Sequence, residues 1–84
     1  MDISSTIRET LSRYGNLSVD VATLSDDDDL YQAGLTSHAS VNVMLSVEDA
    51  FGVEFPDSML TKDAFRSVTA IGDRVKQLGA DTPV

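Results

Sequence analysis

Ile3, Ile7, Leu11 and Tyr14 recur every three or four positions at the start of the chain. That spacing lays side chains along one stripe of an α-helix. It predicts a first helix that starts at Asp2 or Ser4, runs to Tyr14 and ends at Gly15-Asn16. The periodicity then lapses. From Leu17 to Leu35, Val19, Val21, Leu24, Leu30, Tyr31 and Leu35 follow no helical repeat, and Asp26 to Asp29 form an unbroken acidic run among them. A long loop is expected here, with its apolar residues packing as it crosses the helices. A connection of that length needs its own anchors or a functional role. Asp29 to Gln32 is expected to form one turn of helix.

Helical spacing resumes at Thr36 or Ser37 and lasts to Phe51. Val41, Met44, Leu45 and Phe51 line one side, and Val43 and Val47 broaden it. Gly52 ends this second helix, since a helix end often takes the left-handed conformation that glycine accepts. Phe55-Pro56-Asp57 reads as a turn, because a residue before proline avoids the helical region. A short third helix is expected from Asp57 to about Thr61. The last helix begins after Ser67, a good N-cap, and carries Val68, Ile71, Val75 and Leu78. Gly72 weakens it, Gly79 closes it, and Ala80 to Val84 is expected to fray. Leu45 and Phe51 should meet Ile71 and Val75 across the core. No strand pattern is present. The reading is all-α: a four-helix bundle in one domain, residues 1–84, with a long loop between helices one and two.

Composition narrows the chemistry. A domain of 84 residues buries about 60–65% of its unfolded surface, enough for one small core and no deep active-site cavity. There is no cysteine and one histidine, His38. Disulfides, thiolate nucleophiles and multi-histidine metal sites are therefore excluded. No apolar run is long enough to span a membrane. MDISSTIRET shows no basic-then-apolar signal pattern, so a cytoplasmic protein is expected. Fourteen acidic residues face six basic ones, for a net charge of −8. No Lys or Arg lies between Gly15 and Thr61, where Asp20, Asp26 to Asp29, Glu48, Asp49, Glu54 and Asp57 gather. Such a surface repels nucleic acid and anionic membranes and steers toward basic protein surfaces. A monomer is expected.

The candidate chemistry converges on Ser37. It stands where the acidic loop meets the second helix, exposed and beside the positive end of a helix dipole, a good place to attach or hold a phosphate group. Thr36 and Ser40 are competing hydroxyls. Thr36 is a candidate N-cap, and Ser40, a turn into the helix, is expected to point elsewhere. A Ser37–His38 hydrolase dyad fails, because adjacent helical residues do not face each other and no acid orients the ring. A calcium loop over Asp26–Asp29 lacks the spaced acids, central glycine and closing glutamate of an EF-hand. No catalytic residue and no metal ligand set emerges.

The order of helix, long loop, Asp29-Leu30-x-x-x-Gly34, Ser37, then a helix ending Glu48-Asp49-x-Phe51-x-Val53-x-Phe55-Pro56 resembles the acyl carrier protein family. The likeness runs from about Ile3 to Leu78. It implies an acyl-carrier-type fold, 4′-phosphopantetheine attached to Ser37 with Thr36 and His38 beside it, and an acyl or aminoacyl thioester on the arm. A phosphopantetheinyl transferase would be one partner. The resemblance also implies a partner surface of Leu35, His38, Asn42, Glu48 and Asp49. The family's usual Asp-Ser-Leu reads Thr36-Ser37-His38 here, and Ala39 and Asn42 stand where acids are common. A specialised carrier is therefore expected, rather than the general fatty-acid one. Gly34-Leu35-Thr36-Ser37-His38-Ala39-Ser40-Val41 and Val53-Glu54-Phe55-Pro56-Asp57 are similar to stand-alone bacterial aminoacyl carriers, loaded by a synthetase-like amino acid:carrier protein ligase. Two alternatives stand beside this one. The chain could serve acyl-transferring enzymes of fatty-acid, polyketide or lipid synthesis, or it could be a carrier-like interaction module that never takes the arm.

Overall fold

The computed structural model describes residues 2–80. Three α-helices make the body: α1, Ile3–Tyr14; α2, Ser37–Phe51; and α3, Val68–Gln77. No strand occurs among the described residues. Asp2 caps α1, its carboxylate accepting the Ser5 N–H at 2.7 Å. Ile7 and Leu11 are buried as the spacing predicts, whereas Tyr14 turns to solvent. Gly15 keeps a right-handed conformation, and Asn16 is the residue with positive φ, 51°. The short polar side chain of asparagine tolerates that region.

The long connection is a stitched segment. Val21, Leu30 and Leu35 enter the core, while Val19 is exposed. Arg8 on α1 holds it from one side. Its guanidinium donates to the carbonyls of Val21 at 2.9 Å and Leu24 at 2.8 Å, and to Asp26 Oδ1 at 2.7 Å. On the α3 side the Thr69 N–H donates to the Asp26 carbonyl at 3.0 Å, and the Leu30 N–H to the Arg66 carbonyl at 2.6 Å. Three of the four aspartates have separate duties. Asp26 pairs with Arg8, Asp28 accepts the Ser25 N–H, and Asp29 accepts the Tyr31 N–H, starting the turn that spans Leu30 to Gly34.

Arg8→Ala is therefore expected to cost about 2 kcal/mol, since it leaves partly buried carbonyls without donors. Arg8→Lys should restore little of this, because an ammonium cannot span the same fork. Urea titration reads both. The Arg8 and Ser4 hydrogen bonds hold the Asp26 carboxyl below its ordinary 3.8, and the Ser5 backbone N–H does the same for Asp2. Carboxylates depressed on folding stabilise above the unfolded value and lose that contribution as pH falls through the folded one. The melting temperature should thus decline as pH drops below about 3.8, and Asp26→Asn should flatten that decline.

Two parts of the sequence reading are corrected. The buried face of α2 is Ala39, Val43, Val47 and Phe51, which join Ile7, Ile71 and Val75 in the core. Val41 is 51% exposed and Leu45 54%. Apolar residues surround this helix, so spacing alone did not choose the inward stripe. The four-helix count also gives way. In place of a short third helix there are two 3-10 turns, Asp57–Met59 and Lys62–Phe65. Leu60 and Thr61 separate them, Thr61 in extended conformation at φ −120°, ψ 160°. The Thr61 hydroxyl caps the second turn, so that local bond competes with helix continuation. Ser67 caps α3 as expected, and the N–H groups of Gly79 and Ala80 return to the carbonyls of Lys76 and Val75. Ala80 is buried; the remainder of the predicted frayed tail, residues 81–84, lies outside the described residues. No helix among the described residues is long and apolar enough to cross a membrane.

Candidate functional site

The site is built by the turn before α2. Gly34 has φ 108°, and a Cβ there would stand 2.8 Å from the Ser18 nitrogen. Ser18 approaches so closely because both its N–H and its hydroxyl donate to the Ala33 carbonyl, each at 2.8 Å. Leu35 follows into the core at 4% exposure and orients the chain. Thr36 is then extended, and its Oγ1 accepts the Ala39 N–H at 3.0 Å. Thr36 is the N-cap, and Ser37 is the first residue of the helix.

This arrangement gives the three neighbouring hydroxyls different tasks. Thr36 caps. Ser40 donates to the Ser37 carbonyl at 2.7 Å. Ser37 is exposed, and among the described residues its hydroxyl has no internal partner. Ser40 does not point away as expected. It lines the same groove as Ser37, one helical turn further on. Of the first four backbone donors of α2, the Ala39 N–H goes to Thr36 Oγ1 and the Ser40 N–H to the Thr36 carbonyl at 2.9 Å. Those of Ser37 and His38 remain available for an anion at the positive end of the helix. The first turn of α2 holds no acid to oppose one.

Beside Ser37 lies an open groove of about 640 Å³ between α2 and the turn Lys62–Phe65. Leu35, Val41, Met44, Leu60 and Phe65 supply its apolar wall, and Tyr31, Thr61 and Lys62 its far side. Phe65 is braced by Phe55 in an edge-to-face contact, with ring centroids 5.7 Å apart. Lys62 Nζ stands 5.0 Å from the centroid of the Tyr31 ring. Burial, and after it the charge of Asp29, hold the Tyr31 phenol above its ordinary 10. An exposed hydroxyl, two spare N–H donors and an adjoining apolar groove suit a phosphodiester that leads into a flexible, largely uncharged arm.

The other expected site residues scatter. His38 and Asn42 are exposed on α2, and Asp49 is exposed near its far end. Leu35 is inside the core and forms groove wall rather than outer surface. The Glu48 carboxylate accepts the Phe55 N–H at 2.7 Å and ties down the chain after Gly52. Sequence reasoning missed the groove residues Met44, Leu60 and Lys62 and the exposed pair Val41 and Leu45. One signal was present for Lys62: it is the first cation after Arg13 in an otherwise acidic stretch.

Residues 5–75 match the family described as "Phosphopantetheine attachment site". The chain is 50% identical over 74 residues to the "Aminoacyl carrier protein" of Agrobacterium fabrum, covering 88% of this chain and 89% of that protein. Among solved structures it resembles that of an engineered Bradyrhizobium japonicum glycine:[carrier protein] ligase complexed with a carrier protein from Agrobacterium tumefaciens and ATP. The match there has a TM-score of 0.86 and 49% identity, covering 89% of this chain and 97% of the matched one. A Bradyrhizobium japonicum glycine:[carrier protein] ligase complexed with glycylated carrier protein matches with a TM-score of 0.73 at 28% identity, covering 86% and 96%.

Proposed function

The chain belongs to the phosphopantetheine attachment site family, and from that premise we propose that Ser37 bears the 4′-phosphopantetheine arm on which this protein carries an amino acid. The observation that carries the assignment to Ser37 is the division of labour among its hydroxyls. Thr36 and Ser40 are engaged by the helix, and Ser37 is left exposed beside two spare N–H groups. The arm supplies the thiol for a thioester that a cysteine-free chain lacks. The protein's own part is to present Ser37 to a phosphopantetheinyl transferase, to hold the phosphodiester at the start of α2, and to offer a surface to loading enzymes. It is a carrier in this reading and performs no catalysis.

The 50% identity to an aminoacyl carrier protein, and likeness to carriers seen with glycine:[carrier protein] ligases, support an amino acid as cargo and such a ligase as partner. Exposed Val41 and Leu45 lie on α2 between His38, Asn42 and Asp49. That mixed face, nearly neutral at the end close to Ser37, suits a partner that is not strongly basic. Leu35 and Glu48 serve it from within, as groove wall and loop tie. A loading step that draws on ATP, as in the ligase complex solved with ATP, supports a cytoplasmic location in this reading. The test is coexpression with a broad phosphopantetheinyl transferase, followed by offering the modified protein separately to a glycine:carrier ligase with ATP and to a malonyl transferase. The expected product is a glycyl thioester, released by hydroxylamine. Efficient malonylation without glycylation would assign the protein to acyl-chain synthesis instead. A chain that no transferase modifies would be an interaction module.

A further inference from the structure

Three of the chain's cations have carboxylate partners: Arg8 with Asp26, Arg13 with Glu9, and Arg66 with Asp63. Lys62, like Arg74 and Lys76, has none among the described residues, in a chain of fourteen acids and six bases, and of these three it alone lines the groove beside Ser37. Its ammonium lies over the Tyr31 ring, 5.0 Å from the centroid, in the groove that Ser37 also lines. The two carboxylates whose charge acts on the Tyr31 phenol are already engaged. Asp63 is paired with Arg66, and Asp29 Oδ1 accepts the Tyr31 N–H at 2.9 Å. A cation–π contact at an open site is weak, whereas phosphate oxygens form strong charge-assisted hydrogen bonds with an ammonium. The base of Lys62 is fixed, because Thr61 caps the 3-10 turn that Lys62 begins. Its four-carbon stem remains free to swing across the groove.

Resting on the reading that Ser37 bears the arm, we propose that Lys62 is the positioning residue for the arm's phosphodiester, with the Tyr31 ring as the place where its ammonium waits in the unmodified protein. The phosphate then lies between the spare N–H groups of Ser37 and His38 on one side and Lys62 on the other. The first segment of the arm is drawn over the groove rather than pointed freely into solvent.

The test compares unmodified and modified protein by NMR, with intact mass confirming the arm in each sample before spectra are read. In the parent, modification should shift the Tyr31 ring protons and the Lys62 ε-methylene. The phosphorus resonance of the modified protein should move in Lys62→Gln, return toward the parent position in Lys62→Arg, and stay put in Lys76→Gln, a lysine outside the groove. Tyr31 and Lys62 signals identical in the two parent forms, or a phosphorus resonance indifferent to Lys62→Gln, would overturn the proposal while leaving Ser37 as the attachment point. A mass spectrum with no arm on Ser37 would overturn the reading beneath it, and the proposal with it.

Discussion

Ser37→Ala is expected to leave the protein wholly without the arm while the fold persists. The loss should be complete because the two neighbouring hydroxyls are committed. Thr36 Oγ1 accepts the Ala39 N–H, and Ser40 donates to the Ser37 carbonyl, each at hydrogen-bonding distance. Neither can take Ser37's place without giving up a bond of the first helical turn. The fold should persist because Ser37 is the first helical residue and not the cap. Alanine is the best helix former, so the stability change should stay within about 0.5 kcal/mol. Thr36→Ala provides the contrast: it should lose about 1 kcal/mol of capping and still accept the arm. Coexpression with a transferase, intact mass and a thermal melt read both variants. An arm found on Ser40 in Ser37→Ala would show that the groove, not the helix start, selects the hydroxyl.

Why the turn that presents Ser37 was legible from the sequence is physical. Caps and turns are local, so the residues that make them are neighbours in the chain. Asp2, Thr36 and Ser67 each accept an N–H three residues on, and Gly52 takes φ 65° at the end of α2. Each is written in its own few residues. The bounds of α1 and α2 and the start of α3 follow from them. The loop anchors Val21, Leu30 and Leu35 were also visible, as apolar residues outside any helical repeat.

What the sequence did not disclose depends on distant partners. Nothing near Arg8 in the chain says that its fork will meet the carbonyls of Val21 and Leu24. The run Asp26–Asp29 therefore read only as an unbroken acidic run, although three of its carboxylates have partners within the fold. The groove is the same kind of case. Met44 comes from α2, Leu60 and Lys62 from the paired 3-10 turns, and Tyr31 from the loop, so no periodic pattern unites them. The predicted short helix failed for a local reason that composition hides: Thr61 prefers to cap a new turn over extending the old one.

The facing of α2 supplies the second large expected effect. Phe51→Ala should cost about 3–5 kcal/mol, the range for removing a buried phenylalanine. That is a large share of the whole stability of a small domain, about 5–15 kcal/mol in general and near the lower end for a short chain. Phe51 is 2% exposed and belongs to the same core cluster as Val43 and Val47. Leu45, six residues earlier and on another side of the helix, is 54% exposed. Leu45→Ala should change stability by less than about 0.5 kcal/mol. The two variants thus separate the stripes that spacing alone confounded. Urea denaturation gives the stabilities, and loading kinetics with a glycine:carrier ligase gives the second readout. An exposed leucine on α2, the helix that begins with Ser37, is available to a partner, so Leu45→Ala should slow loading without touching the melt. Equal destabilisation by the two substitutions would mean that α2 is rotated in solution. In that case Val41 and Leu45 would belong to the core, and the docking face would have to be sought on the side of Val43 and Val47.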